Sequence, residues 1–206
     1  MERPARVIVY IDGFNLYCGL KTKGWKRYYW LNLQKLAGNL LKPHQKLLCT
    51  KYFTSHISIP PDKQKRQSIF IEALETLENF YIYFGIYQDN AIKCNRCGNI
   101  IQKPNEKMTD VNIATEMLSD AFQDNFDEAI LVSADSDLSA PIKKVKQLFP
   151  VKKIIVAFSP ARFSYHLSKL AHAHFPIGRK KFAESLFLDE VVKQDGYVLK
   201  KPERWR

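Results

Sequence analysis

Short, continuously apolar runs alternate along the chain with longer stretches in which apolar residues recur every three or four positions. A run of four to eight apolar residues bounded by turn signals reads as a buried strand, whereas i, i+3, i+4 spacing reads as an amphipathic helix. Residues 6–11 (RVIVYI) form the first run, which stops at the turn signal Asp12-Gly13. Residues 46–53, 80–87, 129–134 and 153–158 form four more. Between them, Leu31, Leu33, Leu36, Leu40 and Leu41 recur at helical spacing. The stretch 61–79 carries a stripe of Ile69, Phe70, Ala73, Leu74 and Leu77. Residues 109–122 predict the clearest helix, capped by Thr109, with Val111, Ala114, Met117, Leu118, Ala121 and Phe122 on one face. Residues 138–149 and 162–173 predict two further helices. Short apolar strands alternating with helices imply a parallel sheet covered on both faces. Right-handed crossovers then make this a doubly wound α/β fold with a mainly parallel sheet.

Two segments interrupt this alternation. Residues 89–105 carry Cys94-Asn95-Arg96-Cys97-Gly98 and read as an inserted hairpin. From Pro176 onward the chain is basic and weakly periodic. The expected organisation is therefore one domain over residues 1–175 with the hairpin inserted, followed by a basic C-terminal extension over 176–206. Composition sharpens the picture. Hydrophobic residues make up 46% of the 206 residues, enough for a packed core and too much for a disordered chain. The formal net charge of +11 favours polyanionic partners, nucleic acid first. No apolar run approaches the roughly 18 residues that span a bilayer. The charged beginning of the chain does not resemble a secretory signal, and four cysteines, of which only Cys94 and Cys97 are close in sequence, do not make a disulfide framework in a chain this long. A cytoplasmic protein is expected.

The informative residues are the acidic ones. Asp12 ends the first strand, Asp135 and Asp137 follow the fourth, and Asp110 opens the helix before it. In open α/β sheets, functional groups gather beyond the carboxyl ends of the strands, where strand order reverses. If the first and fourth strands are neighbours, Asp12 and Asp135 meet there. Carboxylates sharing a crevice repel one another unless a cation lies between them, and hard oxygen donors suit Mg²⁺ or Mn²⁺. Each aspartate taken alone equally suits a turn or a helix N-cap.

Three segments carry a resemblance: Asp12-Gly13-Phe14-Asn15-Leu16, residues 107–114 (KMTDVNIA) and residues 131–138 (LVSADSDL). Together they resemble the NYN domain, the branch of the PIN-like nuclease superfamily that includes the LabA-like and DUF88 proteins, over roughly residues 6–175. The resemblance implies a PIN-like, Rossmann-like fold and a divalent metal held by acidic residues. It also implies a hydrolase activity, an endoribonuclease cutting RNA phosphodiester bonds. The matching positions are Asp12 and Asn15, Asp110, and Asp135 and Asp137. Asp12 and Asp135 are expected as direct metal ligands, Asp110 and Asp137 as ligands directly or through water, and Asn15 as an orienting group or a helix-start cap. A non-catalytic RNA-binding module of the same fold and a protein-interaction scaffold are the alternatives.

Outside that core, Cys94-x-x-Cys97 has the spacing of half a zinc site. A structural Zn²⁺ would need completion by a remote residue or by a second copy in a homodimer; otherwise the pair is a plain reduced hairpin. Residues 21–30 interleave Lys21, Lys23, Lys26 and Arg27 with Trp25, Tyr28, Tyr29 and Trp30. Cations there can follow phosphates while rings stack unpaired bases of RNA, or the rings can simply pack into the core. Arg162, after the fifth strand, is a further candidate phosphate contact.

Overall fold

The first strand, β1 (Ala5–Asp12), sends Val7, Val9 and Ile11 to one face of the sheet and Ile8 and Tyr10 to the other, and both sets are buried. That two-sided burial explains why the run is continuously apolar. The structure, a computed structural model, describes residues 3–57, 59–93 and 97–205. β1 is followed by α1 (Gly13–Thr22), α2 (Leu33–Leu40), β2 (Gln45–Ser55), α3 (Pro61–Glu75), β3 (Phe80–Lys93) and β4 (Ile100–Lys107). Then come α4 (Thr109–Phe122), β5 (Glu128–Val132), α5 (Ser139–Leu148), β6 (Lys153–Phe158), α6 (Tyr165–Leu170) and β7 (Ala173–Pro176). The chain ends with α7 (Arg179–Ala183) and the strands β8 (Glu190–Val192) and β9 (Val198–Lys200).

Seven strands make one sheet in the order β4-β3-β2-β1-β5-β6-β7. All neighbours are parallel except β3 and β4. The chain builds outward from β1 in one direction through β2 and β3, then returns to β5 and builds in the other. Strand order therefore reverses between β1 and β5. One face is covered by Leu16 and Leu20 of α1, Leu33, Leu36 and Ala37 of α2, and Phe182 of α7. The other is covered by Ile113, Met117 and Ala121 of α4, Ile142 and Val145 of α5, and Leu167 of α6. This is the doubly wound α/β architecture expected from the sequence. No helix among the described residues is long and apolar enough to cross a membrane.

Several elements depart from the sequence expectation. α1 fills a stretch where only the reading of Asn15 as a helix-start cap pointed to a helix. Only Gly13, Leu16, Gly19 and Leu20 are buried on it, so its apolar stripe is too thin to read. The helix expected over 61–79 stops at Glu75; Asn79 takes a left-handed conformation (φ 51°) and turns the chain into β3. The helix expected over 162–173 shrinks to α6. His172 leaves it because its backbone N–H bonds Ile154 O while its Nδ1 accepts from Ile154 N–H, which begins the pairing of β7 with β6. Thr109 is not the cap of α4 but its first helical residue, behind the left-handed Met108. The inserted hairpin is a ribbon in which Ile86–Lys93 pairs antiparallel with Ile100–Lys107. It continues β3 past its last pairing with β2, Ser55 with Gly85.

The basic segment beyond residue 175 packs onto the domain. Ile177 and Phe182 are buried in the core of the first face. Leu199 and Trp205 close over Trp30, Phe70 and Phe187.

Candidate functional site

β1 and β5 are hydrogen-bonded neighbours, in register from Val7 with Glu128 to Ile11 with Val132. The next residue on each strand is Asp12 and Ser133, which therefore face each other at the carboxyl edge, where strand order reverses. Asp12 is only 5% exposed. It caps α1, its Oδ1 accepting from Asn15 N–H at 2.9 Å. Its Oδ2 accepts from the hydroxyl of fully buried Ser133 at 2.8 Å. Ser133 Oγ in turn accepts from the backbone N–H of Asp135 at 3.0 Å. Asp135 Oδ1 accepts from Asp137 N–H at 3.0 Å and caps the 3-10 turn of Ser136–Leu138. One hydroxyl thus joins Asp12 to the turn that carries Asp135 and Asp137.

Close packing sets the position of the flanking elements. A Cβ on Gly13 would lie 2.7 Å from Phe53 O and the Tyr52 ring, so glycine lets α1 start directly against the end of β2. A Cβ on Gly85 would lie 2.6 Å from Lys107 O and Thr109 Oγ1. Glycine there lets α4 begin at the same sheet edge, and this helix packs against β1 and the 3-10 turn of Ser136–Leu138. Asp110, in the first turn of α4, is half-buried at that edge. Asp135 is half-buried and Asp137 exposed. Among the described residues, no three acidic, histidine or cysteine side chains gather into a ready-made metal cluster. Asp12, Asp135 and Asp137 are joined through Ser133, and Asp110 stands on the first turn of the neighbouring helix.

Asn15 does not serve as the helix-start cap, because Asp12 takes that role. Its side-chain Oδ1 is buried and has no hydrogen-bond partner. Two other acidic residues, Glu116 and Asp120 of α4, face inward and are held by Lys51 Nζ at 2.7 and 2.6 Å, with Tyr10 hydroxyl donating to Asp120 at 2.6 Å. Burial and the Asp120 charge push the Tyr10 phenol well up, while the two carboxylates raise Lys51 against the opposing effect of burial. This network ties β1 and β2 to α4 inside the core and lies apart from the sheet edge.

The basic candidates divide. Lys21, Lys23, Lys26, Arg27 and Arg162 are all exposed. The aromatic residues among them do not form a stacking platform: Tyr28 and Trp30 are buried, and Trp25 and Tyr29 half-buried. Trp25 and Tyr28 pack on Phe182, and Trp30 on Phe187 and Trp205. The C-terminal segment supplies the apolar surface that these rings need. Arg27 and Arg179 both donate to the Tyr28 hydroxyl, at 2.6 and 3.2 Å; burial pushes that phenol up, but the two arginines outweigh it and leave it lowered. Cys97 is an exposed free thiol, and Cys94 lies outside the described residues.

Sequence reading passed over Ser133 as a linking group and the exposed aromatic residues of the sheet edge, Phe14, Tyr17, Phe163 and Tyr165. A helical projection of residues 13–22 would have set Phe14 well away from the side of Leu16 and Leu20, with Tyr17 at the border.

The family model of the NYN domain matches residues 6–178, and the chain belongs to that family, part of the PIN-like nuclease superfamily. The chain is similar to 6-hydroxy-3-succinoylpyridine 3-monooxygenase of Pseudomonas putida, with 26% identity over 84% of this chain and 66% of that protein, so it spans just under two thirds of its relative's length. The fold is also that of a Vibrio parahaemolyticus protein of unknown function known from a crystal structure. Its TM-score is 0.57 at 18% identity, over 91% of this chain and 99% of that one.

Proposed function

We propose, from membership of the NYN domain family, that this protein is a cytoplasmic, divalent-metal-dependent endoribonuclease of the LabA-like and DUF88 kind. The observation that carries the proposal is the link from Asp12 through Ser133 to the Asp135–Asp137 turn at the point of strand reversal. The donor set fits Mg²⁺ or Mn²⁺: it is all carboxylate, the hard oxygen donors these ions take. The orphaned Asn15 Oδ1 beside Asp12 is a further oxygen in need of a water or a ligand. Asp12 and Asp135 would hold the ion, with Asp110 and Asp137 completing the acidic rim directly or through water. A bound divalent ion supplies an acidified water and charge neutralisation at a phosphodiester. The protein's own part is positional. Ser133 fixes the Asp12 carboxylate, the capped 3-10 turn fixes Asp135, and the open rim admits a phosphate. Lys21, Lys23, Lys26, Arg27 and Arg162 supply the cationic surface that draws RNA to this edge.

The test is cleavage of end-labelled single-stranded RNA with Mg²⁺ or Mn²⁺. Wild-type protein is expected to cut, EDTA to stop it, and Asp135→Asn to abolish cutting while the circular dichroism spectrum stays unchanged. Cutting that survives EDTA, or an Asp135→Asn protein as active as wild type, overturns the proposal. RNA binding without cutting favours the non-catalytic module instead. The Pseudomonas relative carries the name of a monooxygenase of a pyridine acid, so hydroxylation of that substrate is the second activity to assay.

A further inference from the structure

The acidic rim accounts for the carboxylates of the sheet edge but not for the aromatic rings exposed beside them. α1 leaves Asp12 with Gly13, Leu16, Gly19 and Leu20 buried. Its outward face consequently carries Phe14, Tyr17 and Lys21, about one helical turn apart. Phe14 is 59% exposed, and exposed Tyr17 leans on Tyr29 with ring centroids 5.2 Å apart. Rings left in water forgo the burial that normally stabilises them, so two on one helix face are a feature to explain.

Gly19, on the buried side of α1, brings a second element against the helix. A Cβ there would lie 2.6 Å from Pro160 O and 2.9 Å from Ser159 Cβ, so glycine lets the loop between β6 and α6 rest directly on the helix. That loop presents Arg162 and Phe163, and Tyr165 follows at the start of α6. Phe163 is 63% exposed, yet its orientation is held by Phe158 at 4.8 Å and His174 at 6.2 Å. Burial raises the Cys18 thiol of α1, while the charge of Arg162 and a hydrogen bond with it pull it the other way, so Arg162 reaches the helix that carries Lys21. Among the described residues neither cation forms a salt bridge. Phe14, Tyr17 and Lys21 of α1 and Arg162 and Phe163 of the loop that rests on it thus stand on neighbouring elements at the edge where Asp12 lies.

We propose that these side chains are the track of an unpaired nucleic-acid strand, with bases stacked on Phe14 and Phe163 and phosphates held by Arg162 and Lys21. Substrate selection for single strands then resides in these side chains and not in the acidic rim. The proposal rests on the nuclease reading only in taking that strand to be the substrate. Every base has a π face, so stacking on a ring tolerates any sequence, whereas a duplex hides those faces. A protein partner could also cover the rings. Free cations set among them, in a chain of net charge +11, favour a polyanion.

The experiment measures binding without cleavage: wild-type protein in EDTA, titrated into a fluorescently labelled single-stranded RNA decamer and into the same decamer in a duplex. Phe14→Ala and Phe163→Ala are each expected to weaken single-strand binding about tenfold, with less than twofold change for the duplex. Phe163→Trp is expected to restore it. Arg162→Gln should reduce the slope of log affinity against log salt by roughly one, whereas Phe163→Ala leaves that slope alone. Phe122→Ala removes a ring that is 81% exposed at the far end of α4 and should bind as wild type. Alanine variants that bind the single strand as wild type, or that lose single strand and duplex equally, overturn the track. Wild-type protein that binds through these residues but never cuts overturns the nuclease reading and leaves the track standing. Protein that cuts normally with both rings removed overturns the track alone.

Discussion

At the residue scale, the site turns on a buried serine. Ser133 donates to Asp12 and accepts from the backbone of Asp135, so one hydroxyl satisfies a buried carboxylate and sets the start of the acidic turn. In the sequence Ser133 lies near the end of the run 129–134, where a serine equally suits a cap; only the pairing of β1 with β5 turns it toward Asp12. Ser133→Ala removes a donor from a carboxylate that is 5% exposed. An ionised acceptor left without its partner costs about 1–3 kcal/mol or more. The expected outcome is a loss of that size in urea denaturation together with a fall in RNA cleavage, because the carboxylate is no longer fixed. Stability lost with cleavage unchanged would reduce the hydroxyl to a purely structural bridge.

At the element scale, what the sequence made legible follows burial. The runs in β1, β5 and β6 are strands covered on both faces, whereas the run 80–87 leaves Tyr81, Phe84 and Ile86 exposed. Residues 109–122 are a helix, but its buried face is Ile113, Met117 and Ala121, and Val111 and Phe122 of the expected stripe face water. α1 and β7 were illegible for opposite reasons. α1 packs through two glycines and two leucines, so close approach replaces an apolar stripe. β7 exists because His172 and its neighbours complete the hydrogen bonds of the β6 edge, a tertiary demand that no local pattern carries. The aspartates could be found, since strand-end acids stand out in a basic chain. Their linkage could not, since it depends on which strands are neighbours. Gly19 is the most exacting point in α1. In an isolated helix, Gly→Ala gains about 1 kcal/mol. Here the new Cβ meets backbone at 2.6 Å, and overpacking of that kind costs about 1–3 kcal/mol. The steric term outweighs propensity, so Gly19→Ala should lower stability, and it should weaken RNA binding by lifting the loop that carries Arg162 off the helix. A denaturation midpoint at or above that of wild type would show that the loop yields.

At the scale of the whole molecule, the basic C-terminal segment is part of the core. Trp30 Nε1 donates to Leu188 O at 2.7 Å, Phe187 N–H to Trp30 O at 3.1 Å, and Asn32 N–H to Ser185 O at 2.8 Å. These bonds stitch the segment across α2 and the aromatic loop. The same loop therefore divides its residues by chemistry, rings turned inward onto the segment and Lys23, Lys26 and Arg27 left to water. The positive surface depends on that packing, because a loop without its rings buried cannot hold its cations in place. Phe182 is the keystone, fully buried and in ring contact with both Trp25 and Tyr28. Phe182→Ala should cost about 3–5 kcal/mol. A domain has only about 5–15 kcal/mol in total, so the variant should unfold at a markedly lower urea concentration. Arg179→Ala, one turn earlier on α7, removes a charge and the hydrogen bond to Tyr28 but leaves the apolar contact. It should cost no more than about 1.5–3 kcal/mol, the range for a hydrogen bond to a charged group. If Phe182→Ala unfolds with the wild-type midpoint, the segment is a surface strap, and the cations it positions must be held by the sheet alone.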